Sequence, residues 1–463
     1  MKVFLIVPPA LKTQSQQPDL GMGYLATALR KNGHIVDLLQ AEKDRNFERL
    51  RETLRASKPD VVGIKVYSLE IKTTRAIIEI IKNDFPSCFV VLGGPHVSVA
   101  PPEETMNFFH QADYAIQGEG EIPLPILLEN LKNGKPSFEK IPGLIYRHNG
   151  KVLANETIIH RNIDDFDYPA WDLIDPRKYN DRWFFWTPEY PGAPMITNRG
   201  CPYLCTFCSQ NVVTGKRVRY RSLENVFTEL EMLQEKYGVK DFDLIDDNFL
   251  MKPSYVTKFC EGILERGWKI RWNCGGARLD FMDFELAKLM ERAGCNIIAV
   301  GYENGNQRML DYMKKDLDLN SIKAKSKMIT DNTSIRLFGL FILGFPTETK
   351  EEILNTIRYS QELPLFAATY STYILLPGNE EYERLKSYGE IDAVPWEKLC
   401  LDAHVYAPKG MTIRTLKYLY WKAFFGFFLR PRIMWNLMKY SWRRIPLFID
   451  RIKRKLFWKK SLT

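Results

Sequence analysis

No stretch of this 463-residue sequence stays apolar for the roughly 18 residues that a membrane-spanning helix needs. The start, MKVFLIVPP, is a strand-like run stopped by Pro-Pro, not the basic, apolar and small-residue series of a secretory signal. These two absences point to a cytoplasmic protein. Cysteine is scarce: eight in the chain, three of them within positions 201–208. That distribution argues against a secreted disulfide framework and fits thiolates kept reduced as metal ligands. The other five are scattered, and Cys88, Cys260 and Cys295 read as small buried hydrophobes. The phosphate loop GxxxxGK[ST] is also missing.

The net charge of +9 is unevenly placed. From Met411 to Thr463 there are 14 Lys and Arg against one Asp, which leaves the preceding residues acidic overall. This tail, positions 410–463, mixes aromatics with cations at helical spacing and is divided by Pro431 and Pro446. Two roles suit it: a membrane-peripheral segment lying on an anionic bilayer, or, more plainly, helices that close a neighbouring barrel and expose basic faces. No nucleic-acid-reading module accompanies the charge, so no nucleic acid partner is expected.

A chain of this length is too long for one ordinary domain. In residues 1–140, short apolar runs alternate with amphipathic helices, which predicts an α/β fold with a doubly wound, Rossmann-like parallel sheet. Ligand-facing loops then lie at the strand carboxyl ends: VPPALKTQSQQPDLG, YSLE, GGPHVS and GEGE. Gly21-Met22-Gly23-Tyr24-Leu25-Ala26 matches a GxGxxA dinucleotide fingerprint, but it lies about a dozen residues beyond the first strand, not in the tight turn that fingerprint requires. Residues 141–194 form a connector that opens with a hairpin, LIYRHNGKVL, turning at Asn-Gly. Its cluster Trp183, Phe184, Phe185 and Trp186 either lines a substrate pocket or, more simply, packs between domains.

Residues 195–409 carry six further strand-helix repeats, which suit a partial (β/α)6 barrel with active residues at its strand ends. Cys201, Cys205 and Cys208 follow the first of these strands with Cys-x3-Cys-x2-Cys spacing. Thiolates are the soft ligands of iron–sulfur clusters, and three of them leave one iron of a cubane without a protein ligand. A closed zinc site needs a fourth Cys or His; the motif holds no His, and Cys274 is distant in sequence.

The cysteine run and the repeats after it resemble the radical S-adenosylmethionine (SAM) superfamily. The order VPP, LGMGYLATALRKNGH, GGPH and GEGE is similar to the cobalamin-binding domain that precedes many radical SAM cores. The resemblance implies three cofactors: a [4Fe–4S] cluster on Cys201, Cys205 and Cys208, SAM chelated through its methionine by the open iron, and cobalamin. By the same resemblance Phe207 abuts adenine and Asp247, of the pair Asp246–Asp247, meets the methionine ammonium. Arg278 in GARLD pairs with the SAM carboxylate, Glu303 lies near the ribose, and Gly344 in GLFILGFPTET lets backbone approach adenine, although Gly339 is one residue displaced from the family pattern. One of the two Asp residues could instead cap the helix after Lys252-Pro253, and Arg278 or Glu303 could form ion pairs inside the barrel. LLPGNEEYERL resembles the strand ending that faces substrate in the family.

Gly21, Gly94, His96, Gly118 and Glu119 sit on the implied cobalamin loops. The Asp-x-His-x-x-Gly signature that places a histidine below cobalt in some cobalamin proteins is absent. His96 is the one histidine on these loops, and satisfaction by neighbouring backbone groups accounts for it more simply. The resemblance implies reductive SAM cleavage to a 5′-deoxyadenosyl radical, with a protein reductant such as flavodoxin or ferredoxin, and methylation of an unactivated carbon in a small substrate; the aromatic connector and the basic tail lean toward a lipophilic or ring-containing one. Relatives of the same architecture, resembling the anaerobic magnesium-protoporphyrin cyclase or ring-rearranging enzymes, stay open. A methylthiotransferase would carry more N-terminal cysteines than Cys88 and a β-barrel after the core; for a non-catalytic cobalamin or redox sensor an intact SAM constellation would be superfluous.

Overall fold

The computed structural model of the protein describes residues 1–9, 17–41, 47–134, 137–179, 191–388 and 404–441. Trp183, Phe184, Phe185, Trp186, Cys400 and Pro446 lie outside these residues. The first sheet has seven strands: β1 (Lys2–Val7), β2 (Ile35–Gln40), β3 (Val61–Lys65), β4 (Phe89–Gly93), β5 (Tyr114–Ile116), β6 (Leu144–His148) and β7 (Lys151–Ala154). Their order is β2-β1-β3-β4-β5-β6-β7, parallel as far as β5. Val3, Phe4, Leu5 and Ile6 are all fully buried, as a strand covered by helices on both faces requires. The chain runs from β1 outward in two directions, to β2 on one side and β3 on the other, so ligand space opens at the carboxyl ends of β1 and β3.

The Asn-Gly hairpin forms where the sequence places it. Asn149 and Gly150 both take positive φ, 50° and 77°, the two-residue turn that matches strand twist. It is not free connector, however: β6 pairs antiparallel with β5 and extends the first sheet. The chain then crosses the helix Leu20–Lys31, with Ala170 N–H donating to Gly23 O at 3.0 Å and Thr27 Oγ1 to Tyr168 O at 2.7 Å. A Cβ on Gly23 would lie 2.7 Å from Ile174 Cδ1 and 2.8 Å from Pro169 Cβ. The second glycine of the GxGxxA match therefore admits the crossing chain.

The second sheet has six parallel strands in the order β15-β14-β13-β12-β11-β8, as a partial barrel requires. They are β8 (Gly192–Met195), β11 (Asp241–Leu244), β12 (Arg271–Ala277), β13 (Cys295–Glu303), β14 (Arg336–Leu343) and β15 (Ala367–Thr372). A short antiparallel pair, β9 (Asn198–Arg199) and β10 (Arg219–Tyr220), brackets the cysteine loop. The first barrel strand starts at Gly192, ahead of Met195, and includes Pro194, which an edge strand tolerates. Cys260, Cys274 and Cys295 are buried in the barrel core and Cys88 in that of the first sheet.

The open edge at β15 is covered by the tail. Helix Ile413–Phe428 packs on β15 and on helix Lys350–Glu362, burying Leu416, Leu419, Ala423 and Phe427. The barrel-closing role expected for the tail is thus realised on this inner face. Among the described residues no helix is long and apolar enough to cross a membrane.

Candidate functional site

The carboxyl ends of both sheets converge on one cavity of about 1030 Å³. The first sheet contributes Val7, Lys65, Gly93, Gly94 and the Gly118–Glu121 loop; the second contributes Asp243, Asp246, Asp247, Asn273, Gly275 and Gly276. Glycine backbone forms much of the wall. A Cβ on Gly118, Gly275 or Gly276 would find its nearest neighbour at 3.8, 4.0 and 3.6 Å, so a methyl group there would take up cavity space in ordinary contact, without a clash. A volume near the upper end of small-ligand pockets and a backbone-lined wall fit a large flat ligand such as a corrin.

The cysteine loop is tied to its surroundings by carboxylates and backbone bonds. Asp246 accepts from Thr197 N (2.6 Å), Thr197 Oγ1 (2.6 Å) and Asn198 N (3.0 Å). Asp247 Oδ2 accepts from Gly200 N and Thr214 Oγ1, both at 2.7 Å. Cys201 N–H donates to Gly215 O at 3.1 Å. Burial pushes both carboxyls up, Asp246 to about 7. The helix Pro253–Glu265 receives no side-chain cap, so neither Asp is the helix cap considered from sequence. Both line the cavity, and both have a structural task in holding the loop.

Cys201 and Cys205 are half-buried and Cys208 is exposed. Among the described residues, no three His, Cys, Asp or Glu side chains converge tightly enough for a single metal ion. A cubane takes one thiolate on each of three irons and therefore suits three thiols set along a loop, whereas a closed zinc site does not. Burial pushes the Cys205 thiol up, and the Lys315 cation pulls it back.

Lys315 Nζ donates to Glu303 Oε1 at 2.8 Å and lies 5.8 Å from the centre of the Phe207 ring. Glu303 closes β13 at a φ of 59°. Arg278 pairs with Asp280 (Nε–Oδ2 2.6 Å), donates to the carbonyls of Lys315 and Asp316, and lies 3.7 Å over the Tyr203 ring. Both residues thus form the ion pairs weighed from sequence, and both pairs flank the cysteine loop. Phe207 meets Phe345 edge-on at 6.3 Å. Gly344 takes a φ of 73°, but its near neighbour is the tail: a Cβ there would lie 2.7 Å from Leu416 Cδ1. Gly344 N and Phe345 N donate to Glu348 Oε2 at 2.6 and 3.0 Å, and burial pushes that carboxyl up to about 7.

On the first sheet, Gly21, Gly94, Gly118 and Glu119 reach the cavity. His96 does not. It is fully buried, its Nδ1 lies 2.9 Å from Ser68 Oγ, its ring meets Phe109 edge-on at 6.5 Å, and burial pushes it down to about 4. The helix Pro95–Val99 turns this residue into the core, away from the predicted ligand face. Gly94, with φ 94°, is needed by packing, because a Cβ would lie 2.9 Å from Lys65 Cγ.

Several charged residues in and beside the cavity went unrecognised in the sequence. Lys65 holds Asp19 through both carboxylate oxygens, at 2.9 and 2.8 Å, and beside them Glu70, 4% exposed, is pushed up to about 7 by burial. Arg199, directly before Gly200-Cys201, donates to Glu119 Oε1 (2.9 Å) and Glu121 Oε1 (2.8 Å) across the cavity mouth. Arg219, one strand on, donates to both oxygens of Glu119, at 2.8 and 2.9 Å. Burial raises Glu119, but the hydrogen bonds from Arg219 and the charge of Arg199 more than offset it and hold the carboxyl below its ordinary range. The clue was a GEGE loop in one half and an arginine abutting the cysteines in the other.

The B12 binding domain family matches residues 7–128, and the radical SAM superfamily matches residues 195–360. The chain is 30% identical over 445 residues to the uncharacterized methyltransferase PH0819 of Pyrococcus horikoshii, covering 94% of each chain. It is 25% identical over 404 residues to the anaerobic magnesium-protoporphyrin IX monomethyl ester cyclase of Rubrivivax gelatinosus, covering 85% of this chain and 70% of the cyclase. Its fold matches that of the radical SAM methyltransferase TsrM from Kitasatospora setae, solved with cobalamin and a [4Fe–4S] cluster bound. There the TM-score is 0.66 at 20% identity, over 90% of this chain and 80% of TsrM.

Proposed function

The chain belongs to the radical SAM enzymes that carry a B12-binding domain, and on that premise we propose that it methylates an unactivated carbon of a small lipophilic molecule. Its cofactors are a [4Fe–4S] cluster, SAM and cobalamin. Bound together, they supply a 5′-deoxyadenosyl radical that opens a C–H bond and a methyl group to place there. The chain holds and shields. Cys201, Cys205 and Cys208 would ligate the cluster, and the loops of Gly21, Gly94, Gly118 and Glu119 would seat cobalamin. Asp247, Arg278, Glu303 and Phe207 would orient SAM; of these Asp247 lines the cavity, while Arg278 and Glu303 hold the ion pairs beside the cysteine loop. The observation that supports this reading is the cavity shared by the carboxyl ends of both sheets, lined by Gly21, Gly94, Gly118 and Glu119 from one and by Asp246 and Asp247, which hold the cysteine loop, from the other.

The barrel side of that cavity supports the substrate class. Phe338, Leu340, Leu244 and Ile196 give it an apolar wall, and the hydroxyls of Thr369 and Ser371 lie on the same side. A flavodoxin- or ferredoxin-type donor would supply the electron. Anaerobically reconstituted protein is expected to hold about four irons per chain and to release 5′-deoxyadenosine from SAM under reduction. Cys205→Ala should lose the cluster absorbance and the deoxyadenosine together, and a variant that still made deoxyadenosine would overturn the ligand assignment. Likeness to the cyclase keeps ring closure as the second reading. Mass spectrometry separates the two: methylation adds one methylene to the substrate, whereas oxidative closure removes hydrogen.

A further inference from the structure

The helix Ile413–Phe428 has two faces, and only one is accounted for by the barrel. Opposite the buried Leu416, Leu419, Ala423 and Phe427 runs a row of Tyr418, Trp421, Phe425 and Leu429, at intervals of three, four and four residues. Such spacing places the four along one side of the helix. Trp421 and Phe425 stack at 5.5 Å, and Tyr418 and Leu429 are each 63% exposed. The next helix, Pro431–Ser441, adds Trp435 at 66% exposure and Met434 and Met438 beside it. Scattered exposed apolar residues are ordinary, but here the exposed Tyr418, Leu429, Met434, Trp435 and Met438 follow one another along two consecutive helices, with the half-buried Trp421 and Phe425 between the first two.

Cations frame this row. From Met411 to Ser441 the sequence has six Lys and Arg and neither Asp nor Glu, and Lys417, Lys422, Arg432 and Lys439 are exposed. Aromatic and aliphatic side chains on an outward face with basic residues beside them are the pattern of a helix lying in a bilayer interface. Neither helix is long and apolar enough to span one. A second copy of the chain would bring like charges together. Nucleic acid would meet the cations but would leave the apolar row exposed to water.

We propose that the outer face of residues 413–441 is a docking surface for an anionic lipid bilayer, so that the enzyme works as a peripheral membrane protein. The inference stands on the surface alone and does not depend on the methylation reading. A bilayer-bound position would put the adjacent barrel where lipophilic molecules concentrate.

Flotation of the full-length holoenzyme with phosphatidylcholine vesicles, with and without phosphatidylglycerol, tests it. The protein should float with the anionic vesicles, remain below with the neutral ones, and be released as salt rises. Lys417→Gln/Lys422→Gln/Arg432→Gln should weaken partitioning by roughly fivefold for each cation removed. Leu429→Ser/Trp435→Ser keeps every cation and should weaken it by on the order of tenfold. Both variants must keep the wild-type melting curve and iron content, which separates surface loss from misfolding. Wild-type protein that fails to float with anionic vesicles overturns the proposal. So does an apolar variant that partitions like wild type, or tighter binding to single-stranded RNA than to the vesicles.

Discussion

Glu119→Gln is the sharpest test of how the two sheets are held together. Glu119 is flanked by Arg199 and Arg219, with side-chain exposures of 9%, 11% and 4%, so the three charges have little water around them. Glutamine keeps the shape and one acceptor oxygen but removes the charge that compensates two buried guanidinium groups. Removing one partner of a buried pair costs about 3–5 kcal/mol; the acceptor that remains puts the expected loss near the lower end. Glu121→Gln should cost less, about 1 kcal/mol, because Arg199 keeps Glu119 at 2.9 Å. Urea unfolding at pH 7 measures both, with the slope checked for a second transition as the sheets uncouple. The sign of the pH dependence follows from the depressed carboxyl. Its contribution is full above the ordinary glutamate value of about 4.3 and is lost as pH falls through the lower folded value. The gap between wild type and variant should therefore close in acid. A Glu119→Gln loss under about 0.5 kcal/mol, within the range of an ordinary surface change, or a larger loss for Glu121→Gln, would refute the clamp.

Two further outcomes test individual side chains. Glu70 is pushed up to about 7 by burial, so the stability it retains in acid is lost as pH rises through about 7. Glu70→Gln should match wild type below pH 4 and exceed it at pH 8 by up to about 3 kcal/mol, read from thermal melts at the two pH values. Gly344→Ala adds a methyl group at a φ of 73° and 2.7 Å from Leu416 Cδ1, and should cost about 2 kcal/mol. Adding Leu416→Ala relieves the contact but not the backbone strain, so the double variant should lose less than the sum of the single ones in the same melts.

The alternating elements were legible because each carries its own period: continuous apolar runs such as VFLIV for strands buried on both faces, and wider spacing for the helices between them. Cys201, Cys205 and Cys208 stand out in the sequence because their spacing is local. What could not be read depends on partners far apart in sequence. Glu119 and Arg219 are separated by 100 residues and Gly344 and Leu416 by 72, and no window of sequence shows that they touch. His96 illustrates the same limit from the other side. Its loop sits at a strand end, as predicted, but one short helix after Gly94 turns the ring inward. Strand-end placement predicts which loops face the cavity; the backbone within each loop decides which side chains do.

The cysteine loop shows why that distinction matters to the chemistry. Glu119, on the first sheet's loop, holds Arg219, and Arg219 Nη2 donates to Thr214 O at 2.8 Å. Thr214 Oγ1 donates to Asp247, which also receives Gly200 N–H, and the next residue is Cys201. Thus a short, largely buried relay joins the Glu119 loop of the first sheet to the backbone of the first cysteine, and Arg199 adds a second tie beside it. The long connector crosses elsewhere, over Gly23. These side chains therefore tie the carboxyl ends of the two sheets together directly, independently of the connector. A change that loosens the relay should disturb the register between the sheets before it disturbs either sheet alone.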